Sequence, residues 1–381
     1  MKSCQLHFYQ NEWKKGFSDK GFDNNKAQLV LIFGSASVVT NQAIFTFVKE
    51  TFPAAQIVSA STSGEIIGAS VYNDSAVLTA IEFAKTTVKC VKTNVADHAN
   101  SFETGRYLIN EIQDNSLTSV FIVSDGTLIN GSELVAGLNT YHTKKISITG
   151  GLAGDDAKFI QTFTGLNEVA SHGNVIAIGF YGDYLKAGYG SFGGWDEFGK
   201  ERTITKSDKN VLYEIDGKCA LDLYKEYLGS YVEELPGSAL LFPLSLKTAG
   251  FEKNLVRTIL SINEDKKTMT FAGNMPEGST VRLMKANFTK LIDASSIAAD
   301  YSLVTLEEQR PQLAILISCI GRKLILQEKC FEEVEAVKNV LGNKTVITGF
   351  YSYGEIAPLN SFTNCELYNQ TMTITTFAEI E

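Results

Sequence analysis

Two Gly-Glu-Ile turns carry the side chains best suited to chemistry. Glu65 follows Ser61-Thr62-Ser63-Gly64, and Glu355 follows Ser352-Tyr353-Gly354, each just beyond a predicted strand. Paired carboxylates can act as acid and base, hold a metal, or hold a cationic ligand group. They can equally accept hydrogen bonds from neighbouring backbone N–H groups. Gly64 and Gly354, with Gly150, Gly151 and Gly154, follow predicted strands, where glycine lets backbone N–H groups face a ligand. Sharp strand-to-strand corners need the same residue type. Arg322 follows Cys319-Ile320-Gly321, and its planar fork suits a carboxylate, whether a ligand's or that of Glu65 or Glu355. Asp155, Asp156, Tyr351 and Tyr353 complete a set of polar groups at strand ends. Cys319 is the thiol to watch, although a small buried thiol is first of all a core residue.

Other chemistries leave no pattern. Gly188–Gly193 spells GxGxxG, but no amphipathic helix follows, so it lacks the context of a dinucleotide site. No phosphate-binding GxxxxGK[ST] and no GxSxG nucleophile turn is present. Ser124-Asp125-Gly126 could present a nucleophile, yet the four scattered histidines suggest no base beside it. Six cysteines form no CxxC and share no ligand spacing with histidine, so no metal is expected. No catalytic residue and no cofactor are assigned, and the chain reads as a non-enzyme. Trp195 and Arg257 have no nameable partner.

The elements that must position these groups are short apolar strands with helices between them. Leu29–Phe33, Val120–Val123, Val175–Phe180 and Ala314–Ile317 are β-branched runs of the kind buried on both faces. Gln327–Leu341 places Cys330, Phe331, Val334, Val337 and Leu341 on one helical face. Asp216-Gly217 followed by Ala220, Leu223, Tyr224 and Leu228 predicts a capped helix ending at Gly229. The order strand, helix, strand, Gly-Glu turn, antiparallel strand occurs near the start and near the end, with a middle copy around Val120–Phe180. The fold class is therefore α/β, a mixed α+β arrangement of repeated β-α-β-β units forming mixed sheets flanked by helices, in two domains. The boundaries expected are 1–26 for an N-terminal extension, 27–216 for the first domain and 217–381 for the second.

Length and charge bound the class. With 381 residues, two to three domains are expected by the usual ~150 residues per domain. Lys+Arg number 34 against 43 Asp+Glu, a formal net charge of −9, which argues against nucleic acid as the main partner. The N-terminus shows no secretory signal, and no apolar run approaches the ~20 residues that span a bilayer. The expected location is cytoplasmic.

Together, STSGEI (61–66), GGLAGD (150–155), GGW (193–195), YEIDGKCALDLYKEYLG (213–229), SCIGR (318–322) and GFYSYGEIAP (349–358) resemble the FIST family, in its N-terminal and C-terminal domains. The similarity runs from about Ala27 to the end. Where family members tend to show Gly-Cys before the first turn, this chain has Ser59-Ala60. The resemblance implies a bacterial signal-transduction module that senses a small ligand, with an amino acid or related small carboxylate as the implied class. No output domain is visible, so the signal would pass to a separate protein such as a kinase or a chemotaxis component. The expected ligand-binding set is Gly64, Glu65, Gly150, Gly151, Asp155, Cys319, Arg322, Tyr353, Gly354 and Glu355. The alternatives are an enzyme working through Cys319 or Glu65/Glu355, and a protein-interaction scaffold without ligand.

Overall fold

The computed structural model describes residues 1–140, 146–235, 237–248, 254–304, 306, 309–358 and 364–380. Three units of one plan build its main body. Each unit has an opening strand, one or two outer helices, a second strand parallel to the first, and a last strand antiparallel to the opening one. In the first unit these strands are Leu29–Gly34, Gln56–Ser61 and Ala76–Glu82. In the second they are Leu117–Ser124, Ser147–Leu152 and Asn174–Tyr181. In the third they are Leu313–Cys319, Val346–Ser352 and Met372–Glu379. A leading strand flanks each last strand: Lys2–Tyr9, Thr87–Asn94 and Leu185–Phe192, respectively. Residues 2–9, read from sequence as part of an extension, are thus a strand of the first sheet. The GxGxxG letters fall in and just after the strand Leu185–Phe192, which explains why no dinucleotide turn forms there.

Each unit also hands a short strand to a neighbour. Glu65–Ile67 leaves the first unit and pairs with Val346–Ser352 of the third. Gly354–Pro358 leaves the third and pairs with Ser147–Leu152 of the second. Thr164–Leu166 leaves the second and pairs with Gln56–Ser61 of the first. The exchange is cyclic, so no unit's sheet is complete without another unit.

Strand alternation sorts the side chains into one inner and three outer cores. Leu29, Leu31 and Phe33 point inward with Phe121, Ile178, Ile317, Phe350 and Phe377, making a core shared by all three sheets. Phe33 and Phe350 meet there at 4.7 Å between ring centroids, and Phe180 and Phe377 at 5.1 Å. Fully burying side chains of this size contributes roughly 1.5–3 kcal/mol each. Val30 and Ile32 point outward beneath Val48 and Phe52, where the helix Gln42–Thr51 is capped by Asn41. The second sheet is covered by the helices Ser101–Ile112 and Gly131–Leu138, the third by Phe288–Val304 and Cys330–Leu341.

The last of these helices departs from its expected face. Phe331 is exposed, while Glu333 is fully buried. Position 333 lies three residues after 330 and four before 337, so the helical period turns it inward, where a buried arginine meets it.

Residues 195–286 form a fourth sheet inserted between the leading strand of the third unit and the helix Phe288–Val304. Its strands run in the order Leu255–Arg257, Leu244–Lys247, Thr280–Ala286, Trp195–Asp208, Val211–Ile215, Thr268–Phe271, Ile259–Asn263, with Lys218–Cys219 beside Val211–Ile215. The helix expected after Asp216 is Ala220–Leu228, ending at Gly229 with φ of 56°. Asp216 does not cap it; its carboxylate accepts from the Thr203 N–H and from Arg202.

Candidate functional site

The carboxyl ends of the second strands converge at one end of the body, where the three following turns bond to each other. The Gly154 N–H donates to the Ser61 carbonyl at 2.9 Å, Ser63 N–H to Tyr351 at 2.9 Å, and Tyr353 N–H to Leu152 at 3.2 Å. Donors and acceptors occupy equivalent places in the three units. The opening strands obey the same equivalence: Ser35, Asp125 and Cys319 donate their N–H groups to the carbonyls of Ser75, Asn174 and Thr371.

Within this crown Glu65 and Glu355 do the same work. Glu65 accepts from the hydroxyls of Thr62 and Ser75 and from the Ser75 N–H. Glu355 accepts from the Ser352 hydroxyl at 2.6 Å, the Thr371 hydroxyl at 2.9 Å and the Thr371 N–H at 3.2 Å. Each carboxyl group therefore ties its turn to the residue just before the last strand of its unit. Burial pushes Glu65 up to about 7 and Glu355 up to about 8, against the lowering effect of these hydrogen bonds.

The middle unit uses other acids. Asp155 accepts from the N–H groups of Phe159, Ile160 and Gln161 and from the Tyr353 hydroxyl, and Phe159 stacks on Tyr353 at 4.4 Å. Asp125 accepts from Thr127 N–H, Leu128 N–H, the Thr162 hydroxyl and Gly173 N–H. It also holds His172 Nδ1 at 3.1 Å. A histidine therefore does reach Ser124-Asp125-Gly126 in space, 47 residues along the chain, but it meets Asp125 and the Thr162 carbonyl, while the Ser124 hydroxyl donates to the Asp125 carbonyl.

Not every expected residue lies in the turns. Gly150 and Gly151 are inside the strand Ser147–Leu152, paired on both sides, because the strand runs on to Leu152. A Cβ at Gly150 would stand 2.1 Å from the Ile122 carbonyl oxygen, so the glycine permits close strand approach. Gly64, with φ of 136°, leaves room for Lys323, whose ammonium donates to the Ser63 carbonyl and to Asn73. Gly354 starts the strand handed to the second unit and faces Leu152 and Leu367.

Arg322 is wholly buried, and its fork goes to Glu333, at 3.0 Å from Nε and 2.8 Å from Nη2. The other donors go to the carbonyls of Gly193 and Leu291 and to the Ser295 hydroxyl. Neither Glu65 nor Glu355 is its partner, and no donor is left turned toward solvent. Cys319 is 1 % exposed, with the N–H groups of Gly321 and Gln370 directed at its sulfur; burial nevertheless pushes the thiol well up.

One segment close to the crown is not satisfied. Among the described residues, nine buried side-chain N or O atoms lack a hydrogen-bond partner, and four of them are Tyr368 OH, both amide atoms of Asn369, and Gln370 Oε1. This segment joins the strand Cys365–Tyr368 to the last strand of the third unit. The fourth sheet grips it on both sides. Arg257 Nη1 donates to the Leu367 carbonyl at 2.9 Å, Gln370 Nε2 donates to Thr258 at 3.1 Å, and Trp195 Nε1 donates to the Gln370 carbonyl at 2.9 Å. Trp195 and Arg257, unassigned in sequence, both find their places here. Thr371, the next residue, is the one held by Glu355.

Two surface clefts lie elsewhere. One of about 500 Å³ is lined by Leu303, Gln309, Arg310, Pro311 and 340–345, next to the amino ends of two third-unit strands. Another of about 320 Å³ lies beside Thr87, Lys89, Asp114 and Tyr181. Neither contains an expected site residue. Among the described residues there is no cluster able to hold a metal ion, and no helix is long and apolar enough to cross a membrane.

Comparison with known sequences matches the FIST N domain over residues 28–218 and the FIST C domain over 220–358. An uncharacterized protein of Methanocaldococcus jannaschii is 27% identical over 319 residues, covering 77% of this chain. The chain spans 59% of that relative's length. Among solved structures, a cyanuric acid hydrolase from A. caulinodans aligns with 78% of this chain and 100% of its own, at 8% identity. Its TM-score of 0.18 is too low to carry an argument about fold or activity. The two domain matches cover most of the chain, from the first opening strand to Pro358, and on them the protein belongs to the FIST family, whose domains are sensory domains of signal transduction.

Proposed function

We propose that this chain senses a small ligand, an amino acid or related small carboxylate, enclosed where the Tyr368–Gln370 segment meets the fourth sheet. The observation that carries the reading is Asn369. It is fully buried, yet neither its amide nitrogen nor its amide oxygen has a partner. A buried polar group left unpaired costs about 1–3 kcal/mol, so an amide with both its donor and its acceptor unpaired has hydrogen bonds to give a complementary molecule.

The crown residues take a supporting part in this reading. Glu65 and Glu355 each hold their own turn beside Gly64 and Gly354, Asp155 and Tyr353 join the second and third turns, and Arg322 braces the third unit through Glu333. The signal would arise at the junction. The segment is tied to the Glu355 turn through Thr371 and to the fourth sheet through Arg257, Thr258 and Trp195. A ligand with unequal affinity for two placements of that sheet would shift their populations, and a separate signalling protein would read the shift. The reading is non-catalytic, since the Cys319 thiol is buried and held in its neutral form.

The test is a thermal-shift screen against amino acids and small organic acids, paired with native mass spectrometry of the purified protein. A ligand at 100 times its dissociation constant adds about 2.7 kcal/mol of stability. The expected result is a saturable rise that Asn369→Leu removes and Glu65→Gln keeps. A flat screen with no copurified molecule, or an unchanged response in Asn369→Leu, overturns the reading and favours a scaffold.

A further inference from the structure

The chain buries two arginines almost completely, and they are treated differently. Arg322 has Glu333 at 2.8 Å. Arg257, 3 % exposed, has no carboxylate within ion-pair distance among the described residues. Its Nε donates to the Asn274 carbonyl at 3.3 Å, and Nη1 donates to the carbonyls of Val256 at 3.4 Å and Leu367 at 2.9 Å. Its Nη2 amino group has no partner among the described residues. Taking a cation out of water costs several kcal/mol unless a counter-ion and full hydrogen bonding offset it, and carbonyl oxygens alone offset it poorly.

The surroundings say what the missing counter-ion looks like. Arg257 ends the edge strand Leu255–Arg257 of the fourth sheet and reaches the strand Cys365–Tyr368. Glu366 and Tyr368, on that strand, are the groups whose charge acts on it. The nearby carboxylate of Glu133 is already taken by the Asn274 amide at 2.6 Å. Burial lowers Arg257 only to about 10, so it stays cationic at neutral pH. One and two residues beyond the Leu367 carbonyl that Arg257 holds, Tyr368 OH and the Asn369 amide nitrogen are unpartnered donors.

Resting on the junction site proposed above, we propose that Arg257 is the anion receptor of that site, and that its Nη2 edge takes the carboxylate of the ligand. The planar fork matches two carboxylate oxygens, and Tyr368 OH and Asn369 Nδ2 are unpartnered donors of the segment that Arg257 reaches.

The experiment titrates the full chain with glutamate, succinate and acetate, and in parallel with succinamide and inorganic phosphate, at constant ionic strength. Melting temperature and the side-chain ¹⁵N signals of selectively labelled arginine are followed. The expected result is a saturable response to at least one carboxylate, little to succinamide or phosphate, and a tenfold or greater weakening in Arg257→Lys, which keeps the charge and loses the fork. Should Arg257→Lys fail to fold, the wild-type guanidinium signal decides: a saturable shift of the Arg257 resonance with the carboxylate supports the assignment, and an unmoved resonance overturns it. Equal responses to phosphate or succinamide overturn the carboxylate class. Affinity within twofold in Arg257→Lys, with the response lost in Asn369→Leu, removes Arg257 as receptor and leaves the junction site standing. No response to any probe in the wild type, with nothing copurified, removes both.

Discussion

Glu65 and Glu355 show how burial and hydrogen bonding compete over one carboxyl group. Desolvation wins, so both groups hold their protons to about 7 and 8, while in the unfolded chain they lose them near 4.5. Between these values the folded state binds more protons than the unfolded one, so stability falls as pH rises from about 4.5 to about 8. Below 4.5 the groups are protonated in both states and add no slope. Glu355→Gln should flatten this fall, as read from urea midpoints at pH 5 and pH 8; an unchanged slope would show that Glu355 is ionised throughout. Arg322 makes a second residue-scale prediction. Arg322→Ala strands Glu333 in the interior and should cost about 3–5 kcal/mol, whereas Arg322→Met with Glu333→Leu should recover most of the loss. Equilibrium unfolding of the single and double variants checks both.

At the scale of elements, close approach is purchased with glycine at a helix crossing and with exchange at the strand ends. The helices Ser101–Ile112 and Gly131–Leu138 cross at reciprocal glycines. A Cβ at Gly105 would stand 2.2 Å from the Leu134 carbonyl oxygen, and one at Gly137 would stand 2.1 Å from that of Phe102. Gly137→Ala must therefore push the helices apart, with an expected loss of about 1–3 kcal/mol in urea unfolding, although alanine is the better helix former. The exchanged strand Glu65–Ile67 buries Ile66 among Val334, Val337 and Tyr351 of the third unit. Ile66→Ala should cost about 2–5 kcal/mol despite removing only three carbons from a three-residue strand. A loss below 1 kcal/mol would mean that the exchanged strand is not part of the cooperative core.

For the whole molecule, cyclic exchange means that the units complete one another. The sheet of the second unit takes its edge from Gly354–Pro358 and Cys365–Tyr368, and the sheet of the third takes Glu65–Ile67 from the first. A fragment ending at 216, the boundary expected from sequence, lacks the third unit's opening, second and last strands and leaves the inner core open. It should show no cooperative melting transition, while the full chain melts with the three units together. Cooperative unfolding of the fragment with a native-like near-ultraviolet spectrum would refute this.

Much of the local plan was legible in the sequence. Apolar runs of β-branched residues set the three opening strands and the last strand of the second unit, and the repeated order of strand, helix, strand and turn foretold three like units. Those features depend on backbone preference and on the period of burial, which neighbouring residues largely fix. Which partner each polar group takes depends on packing between segments far apart in the chain. The turn acids were visible as a pair, but only the tertiary structure closed each onto Ser75 or Thr371. It gave Arg322 to Glu333, brought His172 to Asp125, and carried Arg257 across to Leu367. Sequence alone therefore determined the repeating elements and the places where they turn; three-dimensional packing decided which of their buried charges are satisfied within the protein, because those partners come from segments far apart in the chain.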